Sequence, residues 1–354
     1  MNIYIYMNKS HSYNSELNFT FDEEIINLAI IGAGRAGAFH VQSLSINKQY
    51  NLKFIVDLDI IKAKSLAKDA KCDYSDDLDY ILSTNINCVI ICTTTPTHYK
   101  LTIKCLEAGK HVLCEKPIGK TCDEIHNCFS LAKKNNLKLL IAYQKRFDKH
   151  YNKLYELLQQ KKEQGHIINN IQCITRDHPL PTIKYLSTSN GIVEDMISHD
   201  IDITNLFMNF KYPIKIIAFT DTKNISLKEN KEIENIQIMM QYLDGTIVNL
   251  SGSRDAKHGY DQRVEVFGDF GMYHLENQID NNISYYDTNG SNYSKMNYSF
   301  KQRYKDAYIK ELDYMYKMIV NDYEPLIKEE HIILTKNICN AINLSIKENK
   351  IVYL

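Results

Sequence analysis

The sequence predicts an α/β chain: a doubly wound parallel sheet in the first part, followed by an α+β unit built on a large open antiparallel sheet. Two observations carry this. Between Leu28 and Ala142 short apolar runs alternate with segments of helical spacing, the rhythm of parallel strands joined by crossover helices. Beyond Arg146 apolar runs come in neighbouring pairs, one pair joined by Asp244-Gly245, a dipeptide that accepts the positive φ angles of a tight hairpin. With 354 residues the chain is long enough for two cores. We divide it into an extension at 1–25, a first domain at 26–146 and a second at 147–354.

The first apolar run, Leu28 to Ile31, leads straight into Gly32, Gly34 and Gly37 and then into Ala38-Phe39-His40-Val41, which continues as a helix. Strand, G-x-G-x-x-G turn and helix start make a dinucleotide site of the Rossmann kind. Gly32 allows the tight turn, Gly34 lets a pyrophosphate approach the backbone, and Gly37 lets helix and strand pack closely. Arg35 and Ala36 share the helix N-terminus, whose free N–H groups suit phosphate oxygens. A second run, Leu52 to Val56, ends in Asp57, twenty residues after the last glycine. A carboxylate there accepts bonds from ribose hydroxyls and repels a 2′-phosphate, so NAD is expected over NADP. Arg35 would tolerate either cofactor, and an ordinary surface Asp is the plain alternative.

Further along, Ile60 to Ala70 and Leu78 to Leu82 read as helices, and Cys88 to Cys92 as a buried strand. The Thr-rich turn that follows, with Thr94, Thr95, Pro96 and His98, is expected beside the cofactor; His98 either lines the nicotinamide side or caps a helix. Leu101 to Ala108 is helical and stops at Gly109. His111 to Cys114 is a strand that ends in Glu115-Lys116-Pro117, Asp123 to Asn135 a helix, and Lys138 to Ala142 a further strand. In the second domain a helix, Tyr151 to Lys161, precedes a strand at Ile167 to Thr175. Ile236 to Leu243 pairs with Thr246 to Leu250, and Arg263 to Phe267 with Met272 to Leu275. Arg303 to Val320 and Glu329 to Lys347 are helices.

Composition excludes several classes. Lys and Arg number 42 against 43 Asp and Glu, so no basic field invites nucleic acid or a membrane surface. No apolar run is long enough to span a bilayer. The nine cysteines form no C-x-x-C pair, and several fall in strand-like runs, which suits buried, reduced thiols in the cytoplasm. Met1 to Asp22 lacks a basic n-region and a long apolar h-region, so it reads as an extension rather than a signal peptide.

Two places carry chemistry. Lys116 stands at a strand end, where parallel sheets bind their ligands; its ammonium could bond a substrate hydroxyl and stabilise a developing alkoxide. A surface Lys paired with a carboxylate is the alternative. In the stretch Gly191 to Asp202, Asp195 and His199 lie four apart and share a face if the segment is helical. His suits proton transfer near neutral pH, and Asp195 could orient the substrate or raise the basicity of His199. An ordinary helix ion pair remains open. A metal pair lacks a third ligand of matching spacing, so no metal is expected.

Together these residues resemble the Gfo/Idh/MocA oxidoreductase family. The likeness rests on Gly32 to Gly37, Asp57, Glu107 to Pro117, Lys145-Arg146-Phe147-Asp148, and Asp195 with His199. Within the family the chain is most similar to the inositol 2-dehydrogenases, on Arg176-Asp177-His178-Pro179, Gly191 to Asp202, Gly259-Tyr260-Asp261-Gln262-Arg263 and Arg303 to Tyr308. The resemblance implies Lys116, Asp195 and His199 as the catalytic set, with His199 the proton acceptor. It places Arg146, Asp177 and Tyr260 with them around a polyol or sugar, and Glu115 with Lys116 beside NAD. It also implies oxidation of a secondary hydroxyl, myo-inositol to its 2-keto form above all, and a homodimer or homotetramer. Asn190 departs from the family, where glycine is frequent. Another sugar or diol dehydrogenase, or an NAD-sensing regulator, are the other readings; the presence of Lys116, Asp195 and His199 together argues against the regulator.

Overall fold

The computed structural model describes residues 24–288 and 290–354, so the expected extension at 1–25 lies outside the described residues except for its last two. Six short strands, β1 (Ile26–Ile31), β2 (Tyr50–Val56), β3 (Asp73–Ser75), β4 (Cys88–Ile91), β5 (His111–Glu115) and β6 (Leu139–Ala142), form one parallel sheet in the order β3-β2-β1-β4-β5-β6. Strands β4 and β6 are buried at every residue, as expected of a parallel sheet covered on both faces. The covering helices are α1 (Arg35–Leu44), α2 (Ile60–Ala70), α3 (Leu78–Leu82), α4 (His98–Glu107) and α5 (Cys122–Lys134). Local chemistry starts them: Asp59, Asp77 and Thr121 accept bonds from Lys62, Tyr80 and Glu124 backbone N–H groups. A 3-10 turn, Gln144–Phe147, leads out of this sheet.

The second unit begins with α6 (Lys149–Glu163), capped by Asp148, and continues with β7 (Ile168–Arg176), α7 (Ile183–Leu186), a π-helical turn at Val193–Ile197 and α8 (Ser198–Phe207). There follow β8 (Pro213–Asp221), α9 (Ile225–Glu229), β9 (Asn235–Tyr242), β10 (Ile247–Ser253), β11 (Asp261–Gly268) and β12 (Gly271–Leu275). A small hairpin, β13 (Ser284–Asp287) and β14 (Gly290–Tyr293), then α10 (Phe300–Arg303), α11 (Lys305–Val320), α12 (Glu329–Glu348) and β15 (Val352–Tyr353) complete the order. The large sheet runs β12-β11-β7-β10-β9-β8-β15.

The expected hairpins β9–β10 and β11–β12 are both present. The sheet is nevertheless mixed rather than antiparallel, because β7 and β10 pair in parallel from Asn170 opposite Ile247 to Arg176 opposite Ser253. Between these two strands the chain crosses through α7, α8, β8 and β9, and such a long connection can return a strand in its original direction. One face of this sheet is covered by helix; the other carries Phe219, Met239 and Phe267, exposed by 57%, 51% and 47%. The late helices also return to the first sheet. Tyr308 of α11 meets Phe39 of α1 edge-on at 4.6 Å, the Tyr50 hydroxyl donates to the Leu312 carbonyl at 2.7 Å, and Glu329 of α12 meets His126 of α5 at 2.7 Å.

Candidate active site

A cleft with a cavity volume of about 610 Å³ runs along the carboxyl ends of the first sheet's strands and under β7, α7, the π-helical turn and β11. At one end lies the glycine turn. Gly32 has φ +110°, and a Cβ there would lie 2.6 Å from the Cys92 carbonyl oxygen. Gly34 caps α1 with extended backbone and no side-chain bond, and the space where its Cβ would lie is open to 4 Å. Gly37 lies away from the cleft, its missing Cβ making room for the Gly32 carbonyl oxygen at 2.0 Å. Asp57 lines the cleft, with Oδ2 accepting from the Ala33 N–H at 2.7 Å and Oδ1 from the Asp59 N–H at 2.8 Å. Open backbone at Gly34, free N–H groups at the start of α1 and a carboxylate one strand away fit a dinucleotide.

Arg35 and Ala36 line the same end, and the Arg35 guanidinium lies between the rings of Tyr185 at 5.0 Å and Phe300 at 4.9 Å. Thr94 and Thr95 border the cleft, whereas Pro96 is turned away within the 3-10 turn Thr95–Thr97. His98 is a strut: its Nδ1 meets the Pro117 carbonyl oxygen at 2.9 Å and its Nε2 that of Thr93 at 3.2 Å. Burial lowers its pKa, although both carbonyls pull the other way. Glu115 borders the cleft with Oε1 3.0 Å from His40 Nε2.

At the other end Lys116, Asp195 and His199 come together. Lys116 Nζ donates to the Asp195 backbone carbonyl and, at 3.3 Å, to its Oδ1. The Tyr185 hydroxyl donates to Oδ1 at 2.8 Å, and Arg254 Nη1 to Oδ2 at 2.5 Å. Burial alone would raise the Asp195 pKa, but Lys116 and Arg254 outweigh it and hold the carboxyl well below the usual range. The expected regular helix over Asp195 and His199 is instead a π-helical turn running into α8, a feature frequent at functional sites. Both side chains still face the cleft. His199 Nδ1 is buried with no partner among the described residues, and the ring stands edge-on to Tyr143 at 5.6 Å. Burial, then Lys116 and Lys145, push its pKa well below the ordinary value, so the imidazole is neutral.

Asp177 and Tyr260 line the same space, and burial pushes the Asp177 pKa up to about 6 against the pull of Arg254. Arg146 does not line it. Its Nε and Nη2 grip the Asp202 carboxylate at 2.6 and 2.8 Å, buried beneath the wall. Lys145 borders the cleft in its place, with Nζ 2.6 Å from Asp200 Oδ1. The reason is the 3-10 turn, in which successive side chains diverge by a third of a circle. Sequence reasoning also missed Gln144, Gln262, Tyr185 and Arg254. Gln144 Oε1 and Gln262 Nε2 are buried without partners and belong to cleft residues. Gln262 lies two positions from Tyr260, at the start of β11, a spacing that could have found it; Tyr185 and Arg254 offered no such signal. Among the described residues no group of His, Cys, Asp and Glu is placed to hold a metal, and no helix is long and apolar enough to cross a membrane.

Comparison with known proteins bears on the fold and the family. Residues 26–143 match the profile described as "Oxidoreductase family, NAD-binding Rossmann fold", and residues 158–274 match the "GFO/IDH/MocA C-terminal domain". An uncharacterized oxidoreductase of Bacillus subtilis (strain 168), YrbE, is 31% identical over 287 residues, 80% of this chain and 83% of the relative. A myo-inositol 2-dehydrogenase of Thermotoga maritima is 27% identical over 331 residues, 92% of this chain and 98% of its own. The crystal structure of apo scyllo-inositol dehydrogenase from Lactobacillus casei superposes with a TM-score of 0.86 at 25% identity, covering 94% of this chain and 98% of that one. On its glycine turn, its two-sheet architecture and both matched regions, the chain belongs to the Gfo/Idh/MocA family of oxidoreductases, with an NAD-binding Rossmann fold.

Proposed function

We propose that this chain is an NAD-dependent dehydrogenase that oxidises a secondary hydroxyl of a cyclic polyol, myo-inositol to its 2-keto form. The observation that carries the reading is one cleft holding an open glycine cradle at one end and, at the other, the Lys116 ammonium beside a neutral His199, with the unpartnered Gln144 Oε1 and Gln262 Nε2 among the residues around them. A wall of donors and acceptors suits a ring of hydroxyls, because each unmet polar group favours the ligand that meets it. The names of the Thermotoga maritima and Lactobacillus casei proteins support the same substrate class.

NAD, when bound, supplies the hydride acceptor. Lys116 donates a hydrogen bond to the substrate oxygen and stabilises its developing negative charge. His199 takes the hydroxyl proton, since a neutral imidazole is ready to accept one. Asp195 keeps Lys116 in place, and Asp177, Tyr260 and Lys145 orient the remaining hydroxyls. In this reading residues 26–146 hold the cofactor, and 147–354 hold the substrate and a second copy of the chain. The nine cysteines are all free, seven of them buried, which supports a cytoplasmic, reducing environment.

The test is NADH formation, followed by absorbance, with myo-inositol and a panel of sugars and diols, each with NAD and with NADP. Turnover of one polyol with NAD supports the reading. Turnover of a sugar or diol instead moves it to a different substrate of the same chemistry, and silence across the panel with NAD binding intact rejects it in favour of a non-catalytic NAD sensor.

A further inference from the structure

Arg254 follows the last residue of β10 and is fully buried. Its backbone N–H donates to the Glu234 carbonyl at 2.9 Å, which fixes the chain there. Of its guanidinium nitrogens, Nη1 bonds Asp195 Oδ2 at 2.5 Å, while Nε and Nη2 are buried with no partner among the described residues. Asp177 runs alongside, its N–H bonded to the Ser253 carbonyl and its own carbonyl to the Ala256 N–H, both at 2.8 Å. The guanidinium therefore stands behind two carboxylates that border the cleft and does not border it itself. A buried guanidinium with idle N–H groups is costly to keep, so a fold that only needed filling would do better with an apolar side chain.

We propose that Arg254 is a positioning residue for hydroxyl oxidation: by holding one Asp195 oxygen it stops that carboxylate from closing fully on Lys116, so that the Lys116 ammonium stays available to the substrate oxygen. The charge count makes the point. Lys116 and Arg254 together offset Asp195 and the neighbouring Asp177, and without Arg254 both carboxylates would bear on Lys116 alone. Preorganised charge of this kind lowers the barrier for an oxyanion more than it tightens the ground state. The inference rests on the dehydrogenase reading above.

The experiment compares the wild type with Arg254→Gln, Arg254→Lys and Arg254→Ala in three measurements: polyol turnover, NAD affinity, and the crystal structure around Asp195. Arg254→Gln should lower kcat by about 100-fold, the size expected when one preorganised donor leaves a site, with NAD affinity unchanged and Asp195 moved toward Lys116. Arg254→Lys should recover part of the loss, and added guanidinium should restore part of the activity of Arg254→Ala. Near-normal kcat in Arg254→Gln overturns the proposal. So does a loss of kcat, NAD affinity and melting temperature together that neither Lys nor guanidinium repairs, since that is a structural role. If the wild type turns over no polyol, the dehydrogenase reading is what fails; Arg254 is then judged by the crystal structures alone, and an unmoved Asp195 in Arg254→Gln, or in Arg254→Lys should the first not fold, overturns it.

Discussion

Lys116 and Glu311 show how differently two charged groups can be housed. The Lys116 ammonium is matched by Asp195 on one side and open to the cleft on the other, so it is placed to act rather than to stabilise. Replacing it with Ala should lower kcat by about 100- to 1,000-fold, as loss of an oxyanion donor does, while NAD affinity, read by NADH fluorescence, changes little. Glu311 on α11 has no such match: both carboxyl oxygens are buried without partners among the described residues. Burial first, and the nearby Glu115 second, raise its pKa well above the ordinary value. The folded chain thus keeps a proton that the unfolded chain releases from about pH 4.3 upward, so stability present at acid pH is lost as pH rises. Glu311→Gln should match the wild type near pH 4.5 and exceed it at pH 8, seen as a higher melting temperature only in the neutral and alkaline melts.

At the scale of elements, the glycine turn is the least forgiving piece. A methyl at Gly37 would meet the Gly32 carbonyl oxygen at 2.0 Å, and both partners are backbone, so neither can turn aside. Gly37→Ala should cost about 3 kcal/mol of stability and weaken NAD binding at least tenfold, measured by denaturant melts and by titration. This turn, five of the six strands around it and most helices were legible because each is a contiguous apolar run or a periodic one closed by Gly, Asp or Thr; β3, the short polar run Asp73–Ser75, was not. What escaped has physical reasons. Strand direction leaves no trace in an apolar pattern, so the parallel β7–β10 pair was invisible. Pro213–Asp221 and the hairpin of β13 with β14 are paired strands that the reading passed over; the hairpin is exposed throughout, so no buried face stamped alternation on it. Arg146 and Lys145 exchanged roles because a 3-10 turn, not a helix or strand, carries them. Asn190 adopts φ +64°, a conformation that Asn accepts better than most side chains. Tyr185 and Arg254 act only through where the fold puts them.

For the molecule as a whole, the open face of the large sheet is the unfinished part. Phe219, Met239 and Phe267 lie on β8, β9 and β11 and are each about half exposed, and an apolar sheet face of this kind invites cover. If two or four copies associate through this face, as the resemblance implies, changing all three to Lys should leave monomers in sedimentation, with NAD binding kept; an association state unchanged by the substitutions would place the contact elsewhere. The parallel partnership of β7 with β10 has another consequence, one of timing. As the chain emerges from a ribosome, β7 must wait with both edges unpaired until β10 and then β11 appear, some 80 residues and more downstream, and α1 waits longer still for α11. Closing loops of that length is slow, so nascent chains would spend their vulnerable interval with β7 bare along both edges, and unpaired strand edges are where incomplete chains associate wrongly.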